Sequence, residues 1–153
     1  MLDLTFHIPE LRVLVYEEVI AQMKSFCQHC PGDPEACGIL LGKQYDDAVE
    51  ITNFTKPQLT DHRTRASFQR ERAGHVQQAV HLWDESNGLV GYIGEWHTHP
   101  ERIPTPSRTD LRETRILSKR NSSSVVLIIL GTEMGCCTIV GSSNNAQLHR
   151  FKL

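Results

Sequence analysis

The 153-residue sequence contains no apolar run longer than the six residues Val125–Leu130, whereas a membrane-spanning helix needs about 20. The first ten residues carry neither the basic start nor the apolar core of a secretory signal, so the expected location is the cytosol. Cysteine is sparse. The five present (Cys27, Cys30, Cys37, Cys136 and Cys137) are odd in number and unevenly spaced, which builds no disulfide framework. Positive charge is not in excess either: 16 basic side chains face 18 acidic ones, a net charge of −2, and this argues against general nucleic-acid affinity. No internal repeat, low-complexity tract or linker-like stretch is found. A single domain over residues 1–153 is expected, long enough to bury its own core.

What is present is a globular composition, 39% hydrophobic and 22% charged, which excludes collagen-like, coiled-coil and disordered classes. Charge is unevenly distributed: residues 1–50 hold 3 basic and 9 acidic side chains, and residues 51–153 hold 13 and 9. A locally basic face is expected. Residues 2–8 alternate as a strand does, and Pro9 then opens a helix over about 10–28, whose buried face is Leu11, Val15, Val19, Met23 and Phe26. Strands are expected at Ile39–Leu41, closed by Gly42, and at 48–55, followed by a long exposed loop over 57–75. A helix at 72–86, a strand at 89–98, a helix at 107–120 and strands at 124–130, 136–141 and 146–151 complete a mixed α/β pattern.

Two of the eight histidines stand one residue apart in Gly94-Glu-Trp-His97-Thr-His99-Pro100. Alternate residues of a strand share a face, so their side chains project to one side, about 6–7 Å apart. Trp96 and Thr98 then point the other way, Trp96 as a core anchor. Pro100 ends the strand, residues 101–106 carry the chain over the mouth of the site, and Ser107 is placed to cap a helix with Asp110 in its first turn. Two neutral imidazole nitrogens and one carboxylate are a ligand set for zinc that leaves a fourth position for water. Three carboxylates compete for the role of general base: Glu35, Glu95 and Glu101. Periodicity alone favours Glu95, two residues before His97 on the same strand face. Other histidine-rich hydrolases fit less well. Pro100-Glu101-Arg102 replaces the His-x-His-x-Asp-His continuation of metallo-β-lactamase-like enzymes, the chain is too short for the roughly 250-residue barrel of an amidohydrolase, and neither HExxH nor a zinc-deaminase signature occurs.

The full string, His97-Thr98-His99-Pro100, six residues, Ser107, two residues, Asp110, resembles the JAMM/MPN+ (JAB) metalloprotease motif. Glu35-Ala-Cys-Gly-Ile-Leu-Leu-Gly42 likewise resembles that family's first motif, a Glu ahead of a Gly-containing apolar strand. The resemblance covers essentially the whole chain. It implies an α/β MPN (JAB) domain, a mixed curved β-sheet flanked by helices with cytidine-deaminase-like architecture. It also implies one Zn2+ per chain with a catalytic water, held by His97, His99 and Asp110, with Glu35 as general base and Ser107 as donor to the oxyanion. Glu95 is left as an alternative base, or as the partner that holds a ligand histidine by its other nitrogen.

Enzymes of this family hydrolyse the bond after the C-terminal glycine of ubiquitin or a ubiquitin-like tag. The implied partner is therefore a protein with an extended C-terminal tail lying along a strand edge, with no role for nucleic acid or membrane. The loop 57–75, with Arg63, Arg65, Phe68, Arg70 and Arg72, occupies the place of the insertion that helps form the family's substrate groove, where arginines suit an acidic partner. The helix bearing Arg108, Arg112 and Arg115 offers the same. The wording of Tyr92–Pro100 and Pro104–Ser107 is most similar to stand-alone bacterial JAB peptidases of CBASS antiphage operons, which release a cGAS-like nucleotidyltransferase from its conjugates. Processing of a ubiquitin-like or sulfur-carrier precursor is the alternative activity, and a non-catalytic MPN scaffold is the alternative class. Cys27-Gln-His-Cys30 looks like half of a zinc knuckle without a second ligand pair, and Cys136 and Cys137 fit opposite faces of one strand.

Overall fold

A computed structural model describes residues 1–7, 9–141 and 147–153. The chain runs β1 (Leu2–His7), β2 (Glu10–Val15), α1 (Glu17–Lys24), β3 (Cys37–Gln44), β4 (Ala48–Phe54), β5 (His62–Thr64), β6 (Ser67–Gln69), α2 (Arg72–Glu85), β7 (Gly91–Thr98), α3 (Arg108–Asn121), β8 (Val125–Leu130), β9 (Met134–Val140) and β10 (Leu148–Lys152). Among the described residues, eight strands form one mixed sheet in the order β1-β2-β4-β3-β7-β8-β9-β10, and β5-β6 form a separate hairpin. The pairs β2–β4 and β7–β8 are parallel and the others antiparallel. The sheet curls so that its edge strands meet. Phe6 of β1 packs edge-on against His149 of β10 with ring centroids 4.5 Å apart, and the His7 N–H donates to Gln147.

All six residues of β8 are buried, as a strand covered on both faces requires. Val126, Ile128 and Leu130 enter the main core with Phe6, Val13, Val15, Val19, Met23 and Trp96. Leu127 and Ile129 face the other way, with Cys136. Cys137 joins the main core, so the adjacent cysteines take opposite faces of β9. Trp96 is 1% exposed and donates its indole N–H to the Thr55 carbonyl at 3.0 Å. Gly38 makes that contact possible, because a Cβ there would collide with Thr55 and the indole. No helix among the described residues is long and apolar enough to cross a membrane.

Three expectations are corrected. The helix expected over 10–28 is strand β2 followed by the shorter α1. Val13 and Val15 are fully buried, and β2 pairs with both β1 and β4. The strand period 11, 13, 15 lies inside the helical spacing 11, 15, 19, and β-branched side chains with two pairing partners decide for the strand. Pro9 occupies the turn between β1 and β2 instead of opening a helix. The strand at Ile39–Leu41 extends over Cys37–Gln44 and passes through Gly42, where the register with β4 shifts and the backbone closely approaches Glu50. The loop 57–75 contains the β5–β6 hairpin and the first turn of α2. The other expected elements are present with ends shifted by a few residues. Of the expected termini, Ile8 of strand 2–8 and Ala146 of strand 146–151 lie outside the described residues.

Candidate metal centre

Strand β7 lies between β3 and β8, bonded to both, and delivers His97 at its end with His99 just beyond. Their imidazoles turn to the same side, with Nε2 atoms 3.1 Å apart. Helix α3 brings in Asp110, whose Oδ1 lies 3.4 Å from His97 Nε2 and whose Oδ2 lies 3.4 Å from His99 Nε2. These three groups are the metal-competent cluster of the described residues. Ligand atoms about 2.0–2.1 Å from a tetrahedral zinc are separated from one another by roughly 3.3–3.4 Å. The observed separations, with one carboxylate oxygen towards each histidine, are of that order, and two imidazoles with a carboxylate are a donor set that suits zinc.

The spacing Ser107-x-x-Asp110 has a local physical cause. Ser107 is the N-cap of α3: its Oγ accepts the Asp110 N–H at 3.0 Å, and the Asp110 carboxylate accepts the Ser107 N–H at 2.7 Å. This capping box satisfies two helix-end donors and aims the carboxylate at the histidines. Burial alone would raise the Asp110 pKa, but hydrogen bonds with His97 and His99 and the Ser107 N–H hold it well below the usual carboxylate range. Burial pushes His97 down, which favours the neutral imidazole a metal needs. Burial also opposes charge on His99, yet the hydrogen bond and charge of Asp110, with Glu35 and Glu101, raise it.

Glu35 lies on the irregular segment before β3 and is 6% exposed. It lines a cavity of about 470 Å³ together with Phe68, His99, Glu101, Ser107 and Asp110. Burial pushes its carboxyl up to about 7, with His99 opposing and Asp110 and Glu101 reinforcing the shift. Among the described residues its carboxylate has no hydrogen bond or ion pair within the chain. A second cavity is lined by His97 together with Phe68, Arg70, Glu95, Asp110 and Glu113. Phe68 lines both cavities, its ring 5.0 Å from that of His97.

Glu95 is placed otherwise than expected. Both its oxygens accept from Arg70 at 2.9 Å and one accepts the Tyr92 hydroxyl at 2.8 Å, and it makes no hydrogen bond to either histidine. A carboxylate so committed orients the end of the hairpin instead of an imidazole. Its pKa is pushed up to about 7, with burial opposed by Arg70 and Tyr92. Arg63 donates to the carbonyl of Glu35 at 3.4 Å, and the exposed Arg65 donates to the carbonyl of Cys30 at 2.9 Å. Of the three expected groove residues, Phe68 lines the cavity. The Arg70–Glu95 pair carries no sequence signal, because its partners lie 25 residues apart. Cys27 is buried in the core and Cys30 is exposed.

The site residues from Glu35 to Asp110 lie within a stretch that matches a known family over residues 17–145, described as prokaryotic homologs of the JAB domain, and the chain belongs to that family. Among its relatives, a CD-NTase/cGAS isopeptidase of Escherichia coli (strain TW11681) is 33% identical over 129 residues, 84% of this chain and 76% of that protein. One of the same name from Pseudomonas aeruginosa (strain BWHPSA011 / Pa011) is 37% identical over 114 residues, 71% of this chain and 72% of that protein. Another, from Vibrio cholerae serotype O1, is 30% identical over 117 residues, 76% of this chain and 75% of that protein. The fold is similar to the solution structure of a Desulfitobacterium hafniense protein, with a TM-score of 0.66 and 17% identity over 90% of this chain and 89% of that one.

Proposed function

We propose that the chain is a zinc-dependent isopeptidase that cleaves after the C-terminal residue of a ubiquitin-like tag or of a conjugated cGAS-like nucleotidyltransferase, in bacterial antiphage defence. One observation carries the chemistry: His97 Nε2, His99 Nε2 and Asp110 Oδ converge at 3.1–3.4 Å beside the buried carboxyl of Glu35. The names of the relatives support the substrate class.

In this reading His97, His99 and Asp110 hold the metal. Bound zinc would polarise the scissile carbonyl and lower the pKa of its water towards 7. Glu35 takes the proton from the attacking water and passes it to the leaving amine. Glu35 is buried beside the ligands, and its carboxylate makes no hydrogen bond to the described residues, which leaves it available for both proton transfers. Ser107 Oγ already accepts the Asp110 N–H, so its own O–H is left to donate to the developing oxyanion. Residues 66–68 line the cavity at Glu35 and residues 68–70 the cavity at Glu95. Strand β6, paired with β5 alone among the described residues, therefore offers its open edge to an extended tail along both cavities.

The test is cleavage of a panel of Gly-terminated fusions and of conjugates of a cGAS-like nucleotidyltransferase. Wild-type protein is expected to cut at the junction, to stop when stripped by a chelator and to recover with zinc. Chelator-resistant cleavage would overturn the proposal. Cleavage confined to sulfur-carrier precursors would reassign the substrate.

A further inference from the structure

The residue assigned to move the proton stands on backbone that belongs to no helix or strand, within the irregular residues 25–36. The β3–β7 pairing reaches as far as Ala36, whose carbonyl accepts the Thr98 N–H at 2.9 Å, and Glu35 itself lies one residue beyond it. Its N–H donates to the Thr64 carbonyl of the hairpin at 2.7 Å, and the next N–H, of Ala36, donates to the Thr98 hydroxyl at 2.9 Å. Both supports lead to a single buried amide.

That amide is Gln28, inside the Cys27-Gln-His-Cys30 segment and 2% exposed. Its Nε2 donates to the carbonyls of Asp33 at 3.1 Å and Arg65 at 2.8 Å, and its Oε1 accepts from Thr98 Oγ1 at 3.1 Å. Thr98, between the two histidines and fully buried, accepts from Ala36 and donates to Gln28. The donors allow one arrangement only, because a flipped amide would set its oxygen against two carbonyls. Gln28 therefore ties together three places: the residue two before Glu35, the hairpin residue beside Thr64, and the back of the histidine strand. A leucine of similar size would fill the space without desolvating an amide. The polar group is needed because it relates those three segments to one another.

We infer that Gln28, acting through Thr98, is a positioning residue that sets Glu35 against the metal ligands; the inference rests on the reading of Glu35 as general base. It touches neither metal nor substrate. Its effect is on the placement of the base and leaves the ligand set as it is.

The test compares Gln28→Leu, Thr98→Val and Thr98→Ser with wild type for zinc stoichiometry, amide hydrogen exchange and steady-state cleavage. Gln28→Leu and Thr98→Val are expected to keep one zinc per chain and a near wild-type KM. Their Glu35 and Ala36 amides should exchange at least about tenfold faster, with kcat down about ten- to a hundredfold, while Thr98→Ser stays within about threefold of wild type. Folded Gln28→Leu and Thr98→Val proteins with wild-type exchange at Glu35 and Ala36 would overturn the inference. So would a Thr98→Ser protein as impaired as Thr98→Val, since packing of the methyl group and not the hydroxyl would then be at work. If Gln28→Leu fails to fold, the Thr98 pair decides by the same outcomes. If wild-type protein cleaves nothing, the isopeptidase proposal fails, and the exchange rates still decide whether Gln28 fixes the Glu35 segment.

Discussion

The two halves of the candidate centre are built differently. The ligand half rests on regular structure: His97 lies on a strand bonded on both sides, His99 follows directly after it with its N–H bonded to the Leu130 carbonyl, and Asp110 sits in a capping box that fixes its carboxylate. The base half rests on residues 28–36 and a short hairpin, held by side-chain-to-backbone bonds from Gln28, Arg63 and Arg65. Ladder and cap geometry fixes ligands to a few tenths of an ångström, as zinc requires. Irregular segments held by a few bonds open more readily than central strands. Ligand-half changes should therefore act on metal content, and base-half changes on turnover at constant metal content.

The largest effect belongs to the ligand half. His97→Ala or Asp110→Ala should lose stoichiometric zinc in competition with a chelator and fall to background cleavage, and Asp110→Ala should also destabilise α3 by about 1 kcal/mol through the lost cap. Zinc retained at full stoichiometry in either variant would contradict the division. Next comes Glu35→Gln, which should keep its zinc and lose about 10²- to 10⁴-fold in kcat. Wild-type turnover there would move the role of base to Glu95. Glu95→Gln should leave both zinc and kcat within about tenfold, because that carboxylate is committed to Arg70 and Tyr92 and not to the histidines.

The smallest effect is one of stability. Burial raises the Glu35 pKa in the metal-free fold to about 7 from its ordinary 4.5, so the folded chain binds that proton more tightly than the unfolded one. The carboxyl then costs nothing below about pH 4.5, and the cost grows as pH rises and levels off above about 7. Glu35→Gln, which cannot ionise, should accordingly be more stable than wild type at pH 8 by on the order of 1–3 kcal/mol in chelator-stripped protein, with the gain vanishing below pH 4.5. A gain that is equal at both pH values would show that ionisation is not its cause.

The ligand half was legible in the sequence because its determinants are local. His-x-His on one strand face and Ser-x-x-Asp at a helix start are spacings that strand and helix periods convert directly into directions. The base half was not legible in this way. Glu35 reaches the centre through a hydrogen bond to Thr64 and an amide at Gln28 that joins residues up to 70 positions apart, and no period encodes such contacts. Resemblance to a family motif pointed to Glu35, whereas periodicity preferred Glu95, whose carboxylate the structure commits to Arg70 and Tyr92. The hairpin was hidden for the same reason: His62–Gln69 is polar and short, and its order comes from bonds to residues 28–35. The first helix failed differently, because Val15 and Val19 satisfy a helical spacing while Val13 and Val15 satisfy the strand that forms.

The decisive measurement is recovery of cleavage when zinc is titrated into chelator-stripped protein, with a conjugated cGAS-like nucleotidyltransferase as substrate. Cleavage should start at background, rise in proportion to added zinc and level off at one equivalent per chain. Full cleavage by the stripped protein, or a plateau that needs several equivalents, would contradict a single centre formed by His97, His99 and Asp110.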